Sequence, residues 1–319
     1  MVALPEPEEL IKSLGEPVVN SALNEVLNAN IPSPTAKRAL QSFSKKWKDY
    51  SRAALMIMSC RAVGGDPSHV VPAAKALVLS GGAFGLHDDI VDSSYIRTDK
   101  HARTTLGLFG KDVTLLVGDA LLIEGMSHLY ELNDFLPKEK VAEVVMTIKN
   151  GLYELGSGEV EELKLVRNLE VTPQKYLKIV RMKAGDVESY TRIGAMIGGG
   201  TKEETDALGL FGRYLGMVAI LRDDIEDTFN DRSELSSRIT KESLPLPIVY
   251  SLNDLLCKKK IQAMINIYNE KDLDDLLALI EKNEGFEKTK LKIEQFINGS
   301  KLSLKRAKHP SELLSLFKN

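Results

Sequence analysis

Cysteine is almost absent from this chain. Only Cys60 and Cys257 are present, far apart and in no metal-like spacing, which excludes a disulfide scaffold and a cysteine-based zinc site and reads as two incidental thiols of a reducing compartment. Neither sign of charge dominates: the net charge is -3, and the basic residues are spread along the chain, leaving no electrostatic footprint for nucleic acid. The start, Met1 to Glu9, is acidic and lacks the basic stretch and apolar core of a secretory signal. The uncharged apolar run from Ala76 to Leu86 falls short of the roughly 20 residues that cross a bilayer. These absences predict a cytoplasmic protein that is not an integral membrane protein.

What is abundant is helix signal. Hydrophobic residues make up 43% and charged residues 27% of the 319, enough apolar material for a substantial core. Apolar positions recur at three- and four-residue spacing, while alternating strand patterns are hard to find. The chain reads as all-α, a large single-domain helical bundle over 1–319. Helices are expected near 36–62, 72–93, 112–131, 138–157, 173–197, 203–229 and 244–255, with shorter ones between 258 and 317. Thr172 can cap a helix opening at Pro173, and Pro72 sits where a first turn begins. Gly64-Gly65-Asp66-Pro67 and Gly198-Gly199-Gly200 punctuate helix ends.

The same acidic signature occurs twice. His87-Asp88-Asp89-Ile90-Val91-Asp92 and Arg222-Asp223-Asp224-Ile225-Glu226-Asp227 each set two adjacent aspartates three residues ahead of a third, after stretches that are apolar nearly all round. At helical pitch Asp88 with Asp92, and Asp223 with Asp227, share one face. A helix C-terminus carries partial negative charge, so these ends are poor places for carboxylates unless a cation joins them. Carboxylate oxygens suit Mg2+, which is held by one or two carboxylates together with substrate phosphates. One isolated motif of this kind is more often a solvated helix end; two copies with apolar flanks point to a site for divalent metal and a polyanion.

With its continuation, the first motif resembles the trans-isoprenyl diphosphate synthases: Leu86 to Asp92, then Arg97, Phe109-Gly110 and Gly118-Asp119-Ala120-Leu121-Leu122. The second is preceded by Gly212 and Leu215-Gly216 and followed by Lys241 and Leu244-Pro245-Leu246-Pro247, with Lys183 and Gly194-Ala195 between. The resemblance implies the isoprenoid synthase fold, with a central cavity between two aspartate-rich helices. It implies condensation of an allylic diphosphate with isopentenyl diphosphate by Mg2+-assisted ionisation, three ions binding with the substrate diphosphate. Implied metal ligands are Asp88, Asp89, Asp92, Asp223, Asp224 and Asp227; Asp88, Asp92, Asp223 and Lys183 would carry catalysis. Arg97, Lys183 and Lys241 would contact the allylic diphosphate. A homodimer is the family habit, and the apolar segments 112–131 and 138–157 are candidates for its interface; a heteromer is the alternative.

The departures from the family pattern cluster on the isopentenyl side. Arg97 is followed by Thr98-Asp99 rather than Arg-Gly, and the usual basic loop reads Trp47-Lys48-Asp49-Tyr50-Ser51-Arg52-Ala53, in which Arg52 survives and Lys48, with Arg38, is a substitute cation. Gly81 replaces an expected histidine, and Ala219-Ile220 an expected Phe-Gln. Three readings follow: a synthase with substitute cations, which is favoured; a class I terpene synthase or a prenyltransferase with another acceptor; and a weakly active subunit of a heteromeric synthase. An aromatic content of 6% disfavours a cyclase, whose carbocations are steered by aromatic faces. Phe84, one turn before Asp88, is placed to act as the floor of the prenyl tunnel, with Ala83 and Ser80 beside it, which suggests a C15 to C20 product; plain core packing explains Phe84 equally well. Glu162 could reach the metal cluster indirectly.

Overall fold

The computed structural model describes residues 5–97 and 102–317, and the side chain of Arg97 lies outside that description. The described residues are helical apart from loops and one two-stranded ribbon, β1 (Ile96–Arg97) with β2 (Ala102–Arg103), antiparallel with Ile96 opposite Arg103. The all-α expectation holds. Backbone contacts divide the chain into two compact units. One comprises Met1–Ile148, Ser189–Gly209 and Leu304–Asn319; the other comprises Lys149–Glu188 and Leu210–Ser303.

The first unit is built on α1 (Pro7–Asn28), α2 (Pro34–Lys46), α3 (Ser51–Ala62), α4 (Val71–Val91), α5 (Thr105–Phe109) and α6 (Lys111–Ser127). Helix α4 buries residues on every side, from Ala73 and Leu77 to Val78, Leu79, Gly82 and Leu86, as a central helix must. Its neighbour α6 comes close through two glycines. A Cβ on Gly125 would lie 2.7 Å from the Ala76 carbonyl oxygen, and one on Gly118 would lie 2.5 Å from His87 Nε2. Gly194 plays the same part against α3, where a Cβ would stand 2.3 Å from the Met56 carbonyl oxygen.

Sequence patterning ran α2 and α3 together as one helix over 36–62. The structure breaks it at Trp47, whose backbone is extended, and restarts it where Asp49 accepts hydrogen bonds from the Ser51 amide at 2.9 Å and hydroxyl at 2.5 Å. Among the described residues, two helical stretches, Pro67–Val91 and Lys111–Asp134, are long and apolar enough to cross a membrane, but 67% of the most apolar 18-residue window of the first is buried inside the protein, as in a core helix. The second leaves Leu115, Leu116, Ile123 and Tyr130 exposed.

The chain continues through α7 (Lys138–Leu163), α8 (Pro173–Lys183), α9 (Gly185–Ile197) and α10 (Lys202–Phe229). The second unit holds the C-terminal part of α7, α8, the first turn of α9, most of α10, and α11 (Arg232–Thr240), α12 (Leu246–Ser251), α13 (Leu255–Asn266), α14 (Asp272–Lys282) and α15 (Gly285–Ser303); α16 (Ser311–Ser315) belongs to the first. One apolar core runs through the second unit, including Tyr176, Val180, Leu221, Leu235, Leu246, Ile261, Leu276 and Ile280. The expected helix over 173–197 is two, separated at Ala184, and 244–255 shortens to α12 because Pro245 and Pro247 open it. Buried Arg213 on α10 ties the upstream helices: it forms a two-pronged pair with Glu154 (2.7 and 2.8 Å), contacts Glu188 at 2.6 Å and donates to the Arg181 carbonyl at 2.5 Å.

Candidate active site

The first acidic segment closes α4. Asp88 is exposed, Asp89 and Asp92 are half-buried, and Asp92 ends the helix, its amide donating to the Asp88 carbonyl at 2.9 Å. Ser93 turns the chain out of the helix with φ at 56°, and the Ser94 amide donates to the Asp89 carbonyl at 2.8 Å. The three carboxylates are therefore presented around a helix C-terminus, the arrangement for which a bound cation compensates. His87 lies beside them with Nε2 3.3 Å from Asp119 Oδ1 on α6. Phe84, half-buried one turn below Asp88, sets its ring edge-on to the His87 ring at 6.4 Å. Ala83 and Ser80 are buried, and the Ser80 hydroxyl is spent on the Ala76 carbonyl at 2.7 Å.

The second acidic segment lies inside α10, and its three aspartates have separate fates. Asp223 points to solvent at its surface, yet the surrounding protein strips part of its hydration and, with Asp224 close by, raises its carboxyl above the usual range. Asp227 is raised to about 6, chiefly by burial and also by Asp224, Glu234 and Asp223, with Arg238 opposing. Asp224 is fully buried. Both its oxygens lie 2.8 Å from the Tyr176 hydroxyl, Oδ1 accepts from Arg238 Nη2 at 2.6 Å, and Oδ2 accepts from the Leu246 amide at 3.1 Å. Burial pushes its carboxyl up while those donors pull it down. Expected as a metal ligand, Asp224 has its oxygens committed to protein donors.

Lys183, at the end of α8, rests on α7. Gly158 makes the approach: a Cβ there would be 3.1 Å from the Lys183 backbone nitrogen and 3.0 Å from its Cγ. The ammonium is ion-paired with Glu162 and lies 3.2 Å from Glu159. Burial alone would lower its pKa, but these two carboxylates outweigh it and hold the ammonium above the ordinary lysine range. Glu162 also accepts the Ser243 hydroxyl at 2.8 Å. Burial works against its charge too, and Lys183 with Arg238 overcomes it, so the carboxyl sits below its usual value. Lys241 is exposed at the end of α11.

On the expected isopentenyl side, Arg52 is ion-paired with Asp49, donates Nε to the Tyr190 hydroxyl at 2.9 Å and lies over that ring at 5.8 Å. Gly81 makes this possible, because a Cβ there would be 3.0 Å from Arg52 Nε. The residue that replaces a family histidine thus yields its space to the arginine. Lys48 is exposed.

Among the described residues, no group of three His, Cys, Asp or Glu side chains converges to hold an ion unaided. Mg2+ keeps waters and shares its coordination with phosphate oxygens. Two carboxyls raised by burial at Asp223 and Asp227 fit a cation arriving with such a group.

Sequence reasoning missed Arg238, Tyr176, Ser243 and Asp49. Arg238 had a readable signal: it follows Leu235 by three residues, on the buried face of a short helix where a cation needs an anion.

The chain matches the polyprenyl synthetase family over residues 35–282. It is 28% identical over 240 residues to the short chain isoprenyl diphosphate synthase of Methanothermobacter thermautotrophicus, spanning 74% of this chain and 72% of that one. To the octaprenyl diphosphate synthase of Escherichia coli it is 29% identical over 207 residues, 63% of this chain and 61% of the other. The crystal structure of geranylgeranyl pyrophosphate synthetase from Pyrococcus horikoshii shares the fold, with a TM-score of 0.86 over 97% of this chain and 96% of that one at 22% identity. Fold and relatives together define an all-helical enzyme that transfers prenyl groups. The chain belongs to the polyprenyl synthetase family.

Proposed function

We propose that this enzyme is a Mg2+-dependent trans-prenyl diphosphate synthase, active in the cytoplasm, that extends an allylic diphosphate with isopentenyl diphosphate to a C15 to C20 product. The observation that carries the reading is the pair of acidic segments at Asp88, Asp89, Asp92 and at Asp223, Asp227, the second with both carboxyls raised above the usual range, chiefly by burial. The whole of 1–319 serves as one catalytic domain.

In the reaction the allylic C–O bond breaks, the terminal alkene carbon of isopentenyl diphosphate forms the new C–C bond, and one proton is lost. Mg2+, three ions when fully loaded, would supply electrostatic stabilisation of the departing diphosphate. Lys183 is kept charged by Glu162 and Glu159, and Arg97 and Lys241 add positive charge for the same leaving group. Arg52 and Lys48 provide the cations for isopentenyl diphosphate. Phe84 sets the depth available to the growing chain. The exposed apolar residues Leu116 and Ile123 on α6, with Met146 on α7, supply a homodimer interface.

Steady-state kinetics with Asp88→Asn and Asp223→Asn test the reading. Each is expected to lower kcat by about 100-fold or more, the scale seen when one preorganised electrostatic group is lost. Either variant keeping near-normal kcat would remove its aspartate from the catalytic metal set.

A further inference from the structure

The one carboxylate of the second acidic segment that turns wholly inward is also the best satisfied. Asp224 sits on α10, and its donors come from Tyr176 on α8, Arg238 on α11 and the amide of Leu246 that opens α12. One side chain therefore joins these helices of the second unit. The guanidinium it fixes continues outward: Arg238 Nε is 3.5 Å from Asp227 Oδ2, and Nη1 is 3.6 Å from Glu242 Oε2. Arg238 Nε is buried and makes no hydrogen bond, and the carboxylate oxygen paired with it is that of Asp227.

We infer that Asp224 is not a metal ligand but the clamp that sets Arg238 beside Asp227, and that Arg238 is a positioning residue orienting Asp227 for a metal–diphosphate complex. The inference rests on the metal–diphosphate reading above. A buried guanidinium is costly unless its hydrogen bonds are met, and a planar fork restricts the geometry of its partners more than an ammonium does. Tyr176 completes the clamp: burial keeps its hydroxyl protonated, so it serves as a donor to Asp224. Asp223 and Asp227 are left to face the metal, and the middle aspartate of the motif belongs to the scaffold.

The test uses the full chain with Mn2+ and inorganic pyrophosphate, counting bound ions by electron paramagnetic resonance while circular dichroism follows folding. Asp223→Asn is expected to lower the number of ions bound. Asp224→Asn and Arg238→Gln are expected to keep that number and weaken affinity by about tenfold, the lower end of what loss of a residue supporting a metal ligand costs. Arg238→Lys should recover part of the affinity, and Tyr176→Phe, which takes only one donor from Asp224, should keep the ion count with a smaller loss. If Asp224→Asn itself unfolds, the count retained by Tyr176→Phe and the partial recovery by Arg238→Lys support the clamp. A folded Asp224→Asn that binds fewer ions would overturn the inference, as would Arg238→Gln losing stability with affinity unchanged. Wild-type protein that binds no Mn2+ with pyrophosphate would instead remove the underlying reading, and the clamp with it.

Discussion

Replacing Asp227 with Asn should stabilise the metal-free protein while disabling it. The carboxyl is raised from 3.8 to about 6, burial being the largest cause. The native state therefore holds the proton more tightly than the unfolded chain, and stability falls as pH rises from about 4 through about 6. At full strength a displacement of that size opposes folding by about 3 kcal/mol above pH 7. The side chain keeps 27% exposure, and screening by water reduces this to about 1–2 kcal/mol. Asn has the shape of the protonated acid and carries no charge to desolvate. In EDTA at pH 8, urea unfolding of Asp227→Asn should show a gain of about 1–2 kcal/mol over wild type that shrinks steadily between about pH 6 and pH 4. With Mg2+ and pyrophosphate the order should reverse, because ligand that binds only the native state stabilises wild type more. A variant no more stable than wild type at pH 8, or a gain that persists unchanged to pH 4, would refute the reasoning.

Phe84→Ala opens the space below Asp88 and should lengthen the product, read by chromatography of the dephosphorylated prenols; an unchanged length removes Phe84 as the floor. Ile123→Arg, at a position 72% exposed, should leave the stability of the single chain within about 0.5 kcal/mol yet convert a dimer to a monomer in sedimentation. A variant that stays dimeric would move the interface away from α6.

The helices carrying the acidic segments were the most legible part of the sequence. Helix α4 was expected over 72–93 and runs Val71–Val91, because an all-round apolar stretch ending in acidic residues leaves little choice. Helix α1 escaped notice: Gly15 and Pro17 interrupt its pattern, and Gly15 is required because a Cβ there would lie 2.1 Å from the Tyr50 carbonyl oxygen, a contact remote in sequence. The aspartates themselves were legible as motifs, but their division of labour was not. Asp223 and Asp224 are neighbours in the chain, and helical geometry sends one outward and the other into contact with Tyr176, Arg238 and Leu246. Arg52 was legible as a cation, whereas its pairing with Asp49 and Tyr190 depends on Gly81 leaving room from another helix.

The central claim is that two acidic segments and a reduced set of cations still join an allylic diphosphate to isopentenyl diphosphate. Purified protein should be incubated with Mg2+, geranyl or farnesyl diphosphate and labelled isopentenyl diphosphate, with parallel reactions lacking the isopentenyl substrate, and both extended diphosphates and released hydrocarbons or alcohols analysed. The account predicts label in a longer prenyl diphosphate of C15 to C20, formed only with metal and both substrates. Pyrophosphate released without label incorporation, or no reaction with any substrate pair, would contradict it.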